Sequence, residues 1–167
     1  MLTVSGVKIL DVDMGSDFNR TVVTIVGTPE DVLESVLKGT EVALASIDMA
    51  EHTGEHARMG AVDVVPFIPV QGVTMDECVE LSERYAMIAS EKFDLSVYLY
   101  AEAARDKNRI RLPDIRRGEY EGFENKIRDP LWIPDYGPNE FNSKLSSSMH
   151  AAEQAALKVV GRSSKSI

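Results

Sequence analysis

The chain has 167 residues, 44% of them apolar and 27% charged, a single cysteine, and a formal net charge of −9. That length suits one domain with a real core, and the composition is ordinary for a globular protein. The acidic balance opposes non-specific binding to nucleic acid, Cys78 alone can form neither an intrachain disulfide nor a multi-cysteine zinc site, and no apolar run reaches the roughly 18–20 residues that span a bilayer.

Residues 7–13 read as a strand, followed by a turn at Gly15-Ser16-Asp17. Residues 21–26 are β-branched throughout, which predicts a second strand closed by Gly27. Thr28-Pro29-Glu30-Asp31 marks a helix start: threonine caps, proline suits the first turn, and two acids favour the positive end of the helix dipole. Leu33, Val36, Leu37, Leu44 and Ile47 supply an apolar face at helical spacing, so this helix is expected to run to about Ala50. Residues 62–70 form a continuous apolar strand whose prolines bias it to an edge position or an early end. Thr74-Met75-Asp76-Glu77 has the spacing of a capping box, and Leu81, Tyr85, Ile88 and Phe93 continue with helical periodicity. Residues 96–100 read as another strand. The order β-β-α-β-α-β predicts an α/β (α+β) fold, a mixed sheet with helices packed on one face, nearest to a ferredoxin-like split βαβ architecture in incomplete form.

The last third is less regular. Residues 116–126 are expected to form a helix around Tyr120 and Phe123, broken by Pro130. Trp132-Ile133-Pro134-Asp135-Tyr136-Gly137-Pro138 is aromatic and turn-rich, which suits a ligand-facing loop and a loop packed on a core equally. Ser146-Ser147-Ser148 and residues 163–166 read as flexible polymer, with a short helix over 151–160 between them. Arg105, Lys107, Arg109, Arg111, Arg116 and Arg117 form a basic exception in an acidic chain, and either accept an anionic ligand or line a solvated loop.

Two of the three histidines, a carboxylate and a guanidinium gather in His52-Thr53-Gly54-Glu55-His56-Ala57-Arg58, just ahead of the apolar strand. Polar groups at the mouth of a buried strand are placed where catalytic loops commonly sit. Two sharp readings follow: a histidine acid/base site, or a zinc site, because His52-x-x-Glu55-His56 has the inverted zincin spacing. Zinc requires both histidines on one helical face and a third ligand, whereas Thr53-Gly54 is poor helix, with glycine costing about 1 kcal/mol relative to alanine there. The acid/base reading is preferred and no metal is expected. An imidazole takes and returns protons near neutral pH, so His56 is a candidate proton shuttle. Asp13 either orients that imidazole or caps the turn at Gly15. Arg58 and Arg20 either hold carboxylates through forked hydrogen bonds or pair structurally with Glu55 or Asp13. Asp63, within the expected strand, reads as a solvent-facing or partner-bound carboxylate rather than a catalytic one.

Asp11-Val12-Asp13, Asn19-Arg20-Thr21, Ile47-Asp48-Met49, His52-x-Gly54-Glu55-His56-x-Arg58-Met59-Gly60-Ala61-x-Asp63-Val64 and Pro66-Phe67-Ile68-Pro69-Val70 together resemble the formiminotransferase N-terminal subdomain. Met75-Asp76-Glu77-Cys78, Val97-Tyr98-Leu99-Tyr100-x-Glu102-Ala103-Ala104, Gly118-Glu119-Tyr120-Glu121 and Pro134-Asp135-x-Gly137-Pro138 continue the match in order, over roughly residues 7–141. Residues 1–141 are accordingly expected to form that subdomain, and residues 142–167 a divergent, partly flexible tail. The resemblance implies transfer of the formimino carbon from N-formimino-glutamate to tetrahydrofolate as co-substrate, in histidine degradation. It places the catalytic base on His56 and the start of the folate-binding segment on Gly137 and Pro138; Asp13 and Arg58 are the further catalytic candidates, and Arg20, Asn139 and Phe141 the further candidates for substrate and folate contact. The family's opening strand and helix, with a Val-Pro-Asn-Phe-Ser-Glu-Gly motif, and its second subdomain fall outside these residues. The resemblance therefore also implies a homo-oligomer or a partner chain that supplies them. The competing expectation is a non-catalytic folate-binding module or one subunit of a split enzyme. A reducing cytoplasm is the expected compartment, since cysteine is scarce and no basic-then-apolar leader opens the chain.

Overall fold

The computed structural model describes residues 4–144, 147–152 and 160–162. Strands β1 (Lys8–Gly15) and β2 (Arg20–Gly27) form an antiparallel hairpin, with a register shift between Ile9 and Asp11. Its tight turn is closed by Asn19 at a φ of 47°, a left-handed conformation that asparagine tolerates. Helix α1 (Pro29–Ser46) begins as expected, with the Thr28 side chain accepting from the Asp31 backbone N–H. It stops short of Ala50 because Ile47 is extended and the Asp48 carboxylate turns back to accept from the Ala50 N–H at 3.0 Å. Helix α2 (Met75–Phe93) carries the full capping box: Thr74 N–H donates to Glu77 Oε2 at 2.7 Å, and Glu77 N–H to Thr74 Oγ1 at 3.2 Å.

Strands β3 (Val64–Gln71), β4 (Ser96–Ala101), β5 (Ser147–Ala152) and β6 (Val160–Arg162) complete one sheet in the order β1-β2-β6-β3-β5-β4. Among the six described strands only the β1–β2 pairing is antiparallel, so β2-α1-β3 and β3-α2-β4 are both split βαβ units, each with one strand inserted. The mixed α/β class is as expected. The inserted strands run parallel to their neighbours, and there the sheet departs from the ferredoxin-like pattern. β3 is an interior strand, not an edge, despite Pro66 and Pro69. Its pairing is staggered: β5 lies along Val64–Phe67 and β6 along Ile68–Gln71, so each proline has a side on which no donor is required. Ser147 and Ser148, whose composition reads as polymer, open β5; Ala151, Ala152 and Val160, expected in a helix, lie in strands. Residues 146, 153–159 and 163–166, which carry the rest of those expectations, lie outside the described residues.

Side chains alternate across each strand and divide the core in two. On one face Val97, Leu99, Val65 and Phe67 pack with Leu33 and Val36 of α1 and Leu81, Tyr85 and Ala89 of α2. On the other, Tyr98 and Tyr100 pack with Met59, Ile115, Phe123 and Ile127. This second cluster is covered by the short helices α3 (Leu112–Arg116) and α4 (Glu119–Lys126). They replace the single helix expected over 116–126, because Gly118 (φ 91°) and Glu119 (φ 53°) take left-handed conformations that a continuous helix cannot contain. Lys126 ties the break together, donating to the carbonyls of Asp114, Ile115 and Arg117 while standing 3.9 Å from the centre of the Trp132 ring.

The loop after α4 resolves to its packed alternative. Val97 N–H donates to the Tyr136 carbonyl at 2.9 Å, Ser96 Oγ to the Pro138 carbonyl at 2.7 Å, and Tyr98 OH to the Trp132 carbonyl at 2.6 Å. Asp135 forms a buried ion pair with Arg109 at 2.9 Å and accepts from the Leu99 N–H at 2.8 Å.

Candidate active site

β6 joins β2 to β3 only at their C-terminal halves, through Val26–Gly27 on one side and Ile68–Gln71 on the other. Ahead of those residues no strand pairing links β2 to β3 among the described residues, and the sheet carries a slit. A cavity of about 730 Å³ opens there, within the roughly 300–1,000 Å³ of small-molecule sites. Its walls are Thr21, Val22, Val23 and Ile25 of β2, Val36, Gly39, Thr40 and Ala43 of α1, and Val64, Val65 and Pro66 of β3. The polar rim is made by Asn19, Arg20, His52, His56, Arg58, Asp63 and Arg116.

The histidine loop is irregular rather than helical, so His52 and His56 do not share a helical face. His52 is occupied on both ring nitrogens: Nε2 lies 3.0 Å from the Asn19 carbonyl, and Nδ1 accepts from Arg58 Nε at 3.1 Å. With Nδ1 accepting, Nε2 is the ring nitrogen that donates to the Asn19 carbonyl. Asn19 answers by donating from Nδ2 to the Thr53 carbonyl at 2.6 Å. A Cβ on Gly54 would lie 2.5 Å from the Phe18 carbonyl oxygen, so only glycine lets the loop seat on the hairpin turn. These contacts latch the β1–β2 turn to the loop and fix Arg20 on the same cavity as His56. Among the described residues, no cluster of three or more histidine, cysteine or acidic side chains could hold a metal ion.

His56 lines the cavity with its imidazole basicity lowered from the ordinary value. Burial is the main cause, followed by the positive charges of Arg116 and Arg20; the Asp63 carboxylate and a backbone hydrogen bond at Ala57 act in the opposite sense. A histidine so placed is neutral at pH 7 and free to accept a proton.

Arg58 also lines the cavity, but its guanidinium is held by the protein. It donates to His52 Nδ1, to the His52 carbonyl at 2.8 Å and to Glu121 at 3.0 Å, and it stands 5.7 Å from the Tyr120 ring centre. Its structural partners are thus His52 and Glu121, not Glu55 or Asp13. Arg20 is exposed at the rim over Phe18, 5.9 Å from the ring centre. Asp13 is exposed on β1 and is not part of the cavity wall; the register, with Gly15 opposite Arg20 and Asp13 opposite Val22, puts it on the same hairpin face as Arg20.

Gly137, Pro138 and Asn139 stand away from the cavity wall, beside β4. Gly137 has a φ of 84°, and a Cβ there would lie 1.9 Å from the Leu95 carbonyl oxygen, so its glycine has a packing reason of its own. Phe141 packs on Tyr120 (5.6 Å between ring centres) and Phe123 (6.1 Å), does not line the cavity itself, and is linked to Arg58 through Tyr120. Asp63 is partner-bound, as expected, but precedes β3 rather than lying within it: Oδ1 accepts from the Met59 N–H at 2.8 Å and Oδ2 from Arg116. Arg116 is the cavity residue that sequence reasoning left among six basic side chains. The unused signal was Leu112-Pro113, a helix start that makes Arg116 the last residue of a separate short helix.

Comparison with known proteins identifies the family. Residues 1–153 match the family model described as formiminotransferase domain, N-terminal subdomain, a span that continues past Phe141. The chain is 47% identical over 152 residues to the formimidoyltransferase-cyclodeaminase of Sus scrofa, covering 91% of this chain and 28% of that protein. It is 36% identical over 140 residues to the glutamate formimidoyltransferase of Streptococcus pyogenes serotype M1, covering 84% and 47%. With the glutamate formimidoyltransferase of Thermoplasma acidophilum it shares 40% identity over 139 residues, covering 82% and 46%. The chain spans less than half the length of each of these relatives. With the family model covering most of its length and the polar loop facing an open cavity, the chain belongs to the formiminotransferase domain family, as its N-terminal subdomain.

Proposed function

We propose that this chain carries the acid/base half of a folate-dependent formimidoyltransferase, moving a formimino group from N-formimino-glutamate to tetrahydrofolate. The observation that carries the reading is His56, neutral and accessible on a cavity whose rim also holds Arg20, Arg58 and Arg116. In the reaction, N5 of the reduced pterin attacks the formimino carbon and forms a new N–C bond. The tetrahedral intermediate then breaks its bond to the glutamate nitrogen, which leaves with a proton. His56 takes the proton released at N5 and returns one to the departing nitrogen. Asp13, on the hairpin face of Arg20, is the carboxylate proposed to meet the cationic formimino group. Arg58, fixed between His52 and Glu121, frames the cavity wall.

The folate is proposed to extend toward Gly137, Pro138, Asn139 and Phe141, with Phe141 linked to Arg58 through Tyr120. No metal takes part in this reading. A homo-oligomer or a partner chain is proposed to complete the site, which the exposed apolar side chains of β1 favour. The cytoplasm is the proposed compartment, in keeping with the free thiol of the buried Cys78.

Calorimetric titration with tetrahydrofolate, paired with a transfer assay, tests the reading. Reduced folate should bind, and His56→Ala should lower the transfer rate by about 10²–10⁴-fold with folate affinity nearly unchanged. Full activity of His56→Ala across pH 6–9 would assign the loop a structural role instead.

A further inference from the structure

Arg116 is the cavity cation that keeps a buried donor without a partner. Asp63 engages one of its donors, while Asp63 itself is anchored by the Met59 N–H. Nε of Arg116 is buried without a hydrogen-bond partner, and an orphan donor of that kind costs about 1–3 kcal/mol until something accepts from it. The other buried orphan Nε, on Arg109, belongs to a guanidinium already tied to Asp135 and to the carbonyls of Leu131 and Ile133. Arg20 forms no ion pair among the described residues and stands over Phe18 at the same cavity. Arg58, by contrast, already serves His52 and Glu121.

Resting on the transfer reading above, we infer that Arg20 and Arg116, rather than Arg58, seat the two carboxylates of the glutamate-type substrate on the wall that holds His56. A guanidinium pinned at one nitrogen keeps a fork of donors in fixed orientation, which suits a planar carboxylate. A dicarboxylate needs two such cations, and these two come from separate elements, the start of β2 and the end of α3. Asp63 holds Arg116 in place without exhausting it. The seat also couples to the base. In the free protein Arg20 and Arg116 disfavour the imidazolium of His56, and Asp63 alone among the facing charges favours it. A dicarboxylate lodged on both arginines cancels their charge, so His56 becomes more basic only when the substrate is in place.

The test titrates the full chain, without folate, with N-formimino-glutamate, glutamate, glutarate and butyrate, following heat and the His56 imidazole resonances. The expected result is saturable binding of the dicarboxylates, much weaker binding of butyrate, and an upward shift of the His56 pKa on binding. Arg116→Gln and Arg20→Gln should each weaken binding by roughly 10- to 100-fold and shrink that shift. Arg116→Lys, which keeps the charge and the Asp63 pair, should show an intermediate loss and guards against a misfolded glutamine variant. Butyrate binding as well as glutarate, or Arg116→Gln and Arg116→Lys both binding like wild type, overturns the inference. The two readings fail separately. Dicarboxylate binding that depends on Arg116 without any transfer to tetrahydrofolate leaves the seat standing and removes the transferase. Transfer with an unchanged KM for N-formimino-glutamate in Arg116→Gln does the reverse.

Discussion

His56 is held neutral by burial and by two arginines, and the sign of its pH effects follows from that. Its folded pKa lies below the unfolded one, so the unfolded chain takes up a proton first as pH falls. The fold should therefore lose stability on acidification through about 6.5, and His56→Gln should flatten that part of a urea-midpoint profile. For catalysis, the acid limb of kcat/KM should fall below pH 6.5, and that of kcat, which reports the bound complex, should lie higher. His52 predicts a different outcome. Its two ring hydrogen bonds hold the hairpin turn and Arg58, so His52→Ala should cost about 1–3 kcal/mol in chemical denaturation. Zinc content should be unaffected by that substitution; stoichiometric zinc lost with His52 would restore the metal reading. The histidine loop was legible in the sequence because its groups are contiguous. Arg116 was not, because it meets Asp63 and His56 only after β3 and β4 have been laid into one sheet. Arg58 was legible as a functional side chain but not as a committed one, since Glu121 lies far along the chain.

At the scale of elements, what is encoded locally was readable. Thr28 and Thr74 announce α1 and α2 through their own side chains, and Thr74→Ala should cost about 1 kcal/mol of stability by thermal or urea unfolding. The β-branched run of β2 and the apolar run of β3 were readable for the same reason. Pairing was not. The interior position of β3 depends on a stagger between β5 and β6 that no property of Pro66 or Pro69 reveals, and the serine- and alanine-rich β5 lacks the alternation of a strand. The loop bearing Gly137 makes a sharper case. Composition left it open between ligand and core, and the hydrogen bonds to β4 decide for the core. Gly137→Ala should be destabilising by about 1–3 kcal/mol from backbone strain alone, with the clash against Leu95 added. A variant as stable as wild type would mean the loop is not seated on β4 as described.

Over the whole molecule, β1 is the outer strand of the sheet and leaves Leu10, Val12 and Met14 49%, 47% and 76% exposed. Apolar side chains along an unpaired edge favour association, while Asp11 and Asp13 on the same strand and a net charge of −9 oppose it. Sedimentation should accordingly show self-association that strengthens as salt screens the repulsion; a monomer at all micromolar concentrations and at high salt would refute this. The slit between β2 and β3 has a further consequence. Among the described residues the two halves of the sheet are joined there by β6, by the overlying α1 and by the latch of the histidine loop on the hairpin turn, with no strand pairing across the slit itself, so a molecule lodged in the gap is a keystone bridging the two halves. Occupancy is then felt as cohesion. Ligand at a hundred times its Kd adds about 2.7 kcal/mol to the folded state, or roughly 5–10 °C in melting temperature for a chain of this size. The gain should be spatially broad, with amide protons of β2 and β3 slowing their exchange together. The resting protein is an arch awaiting its central stone, and its heat tolerance should report the presence of substrate before any turnover is measured.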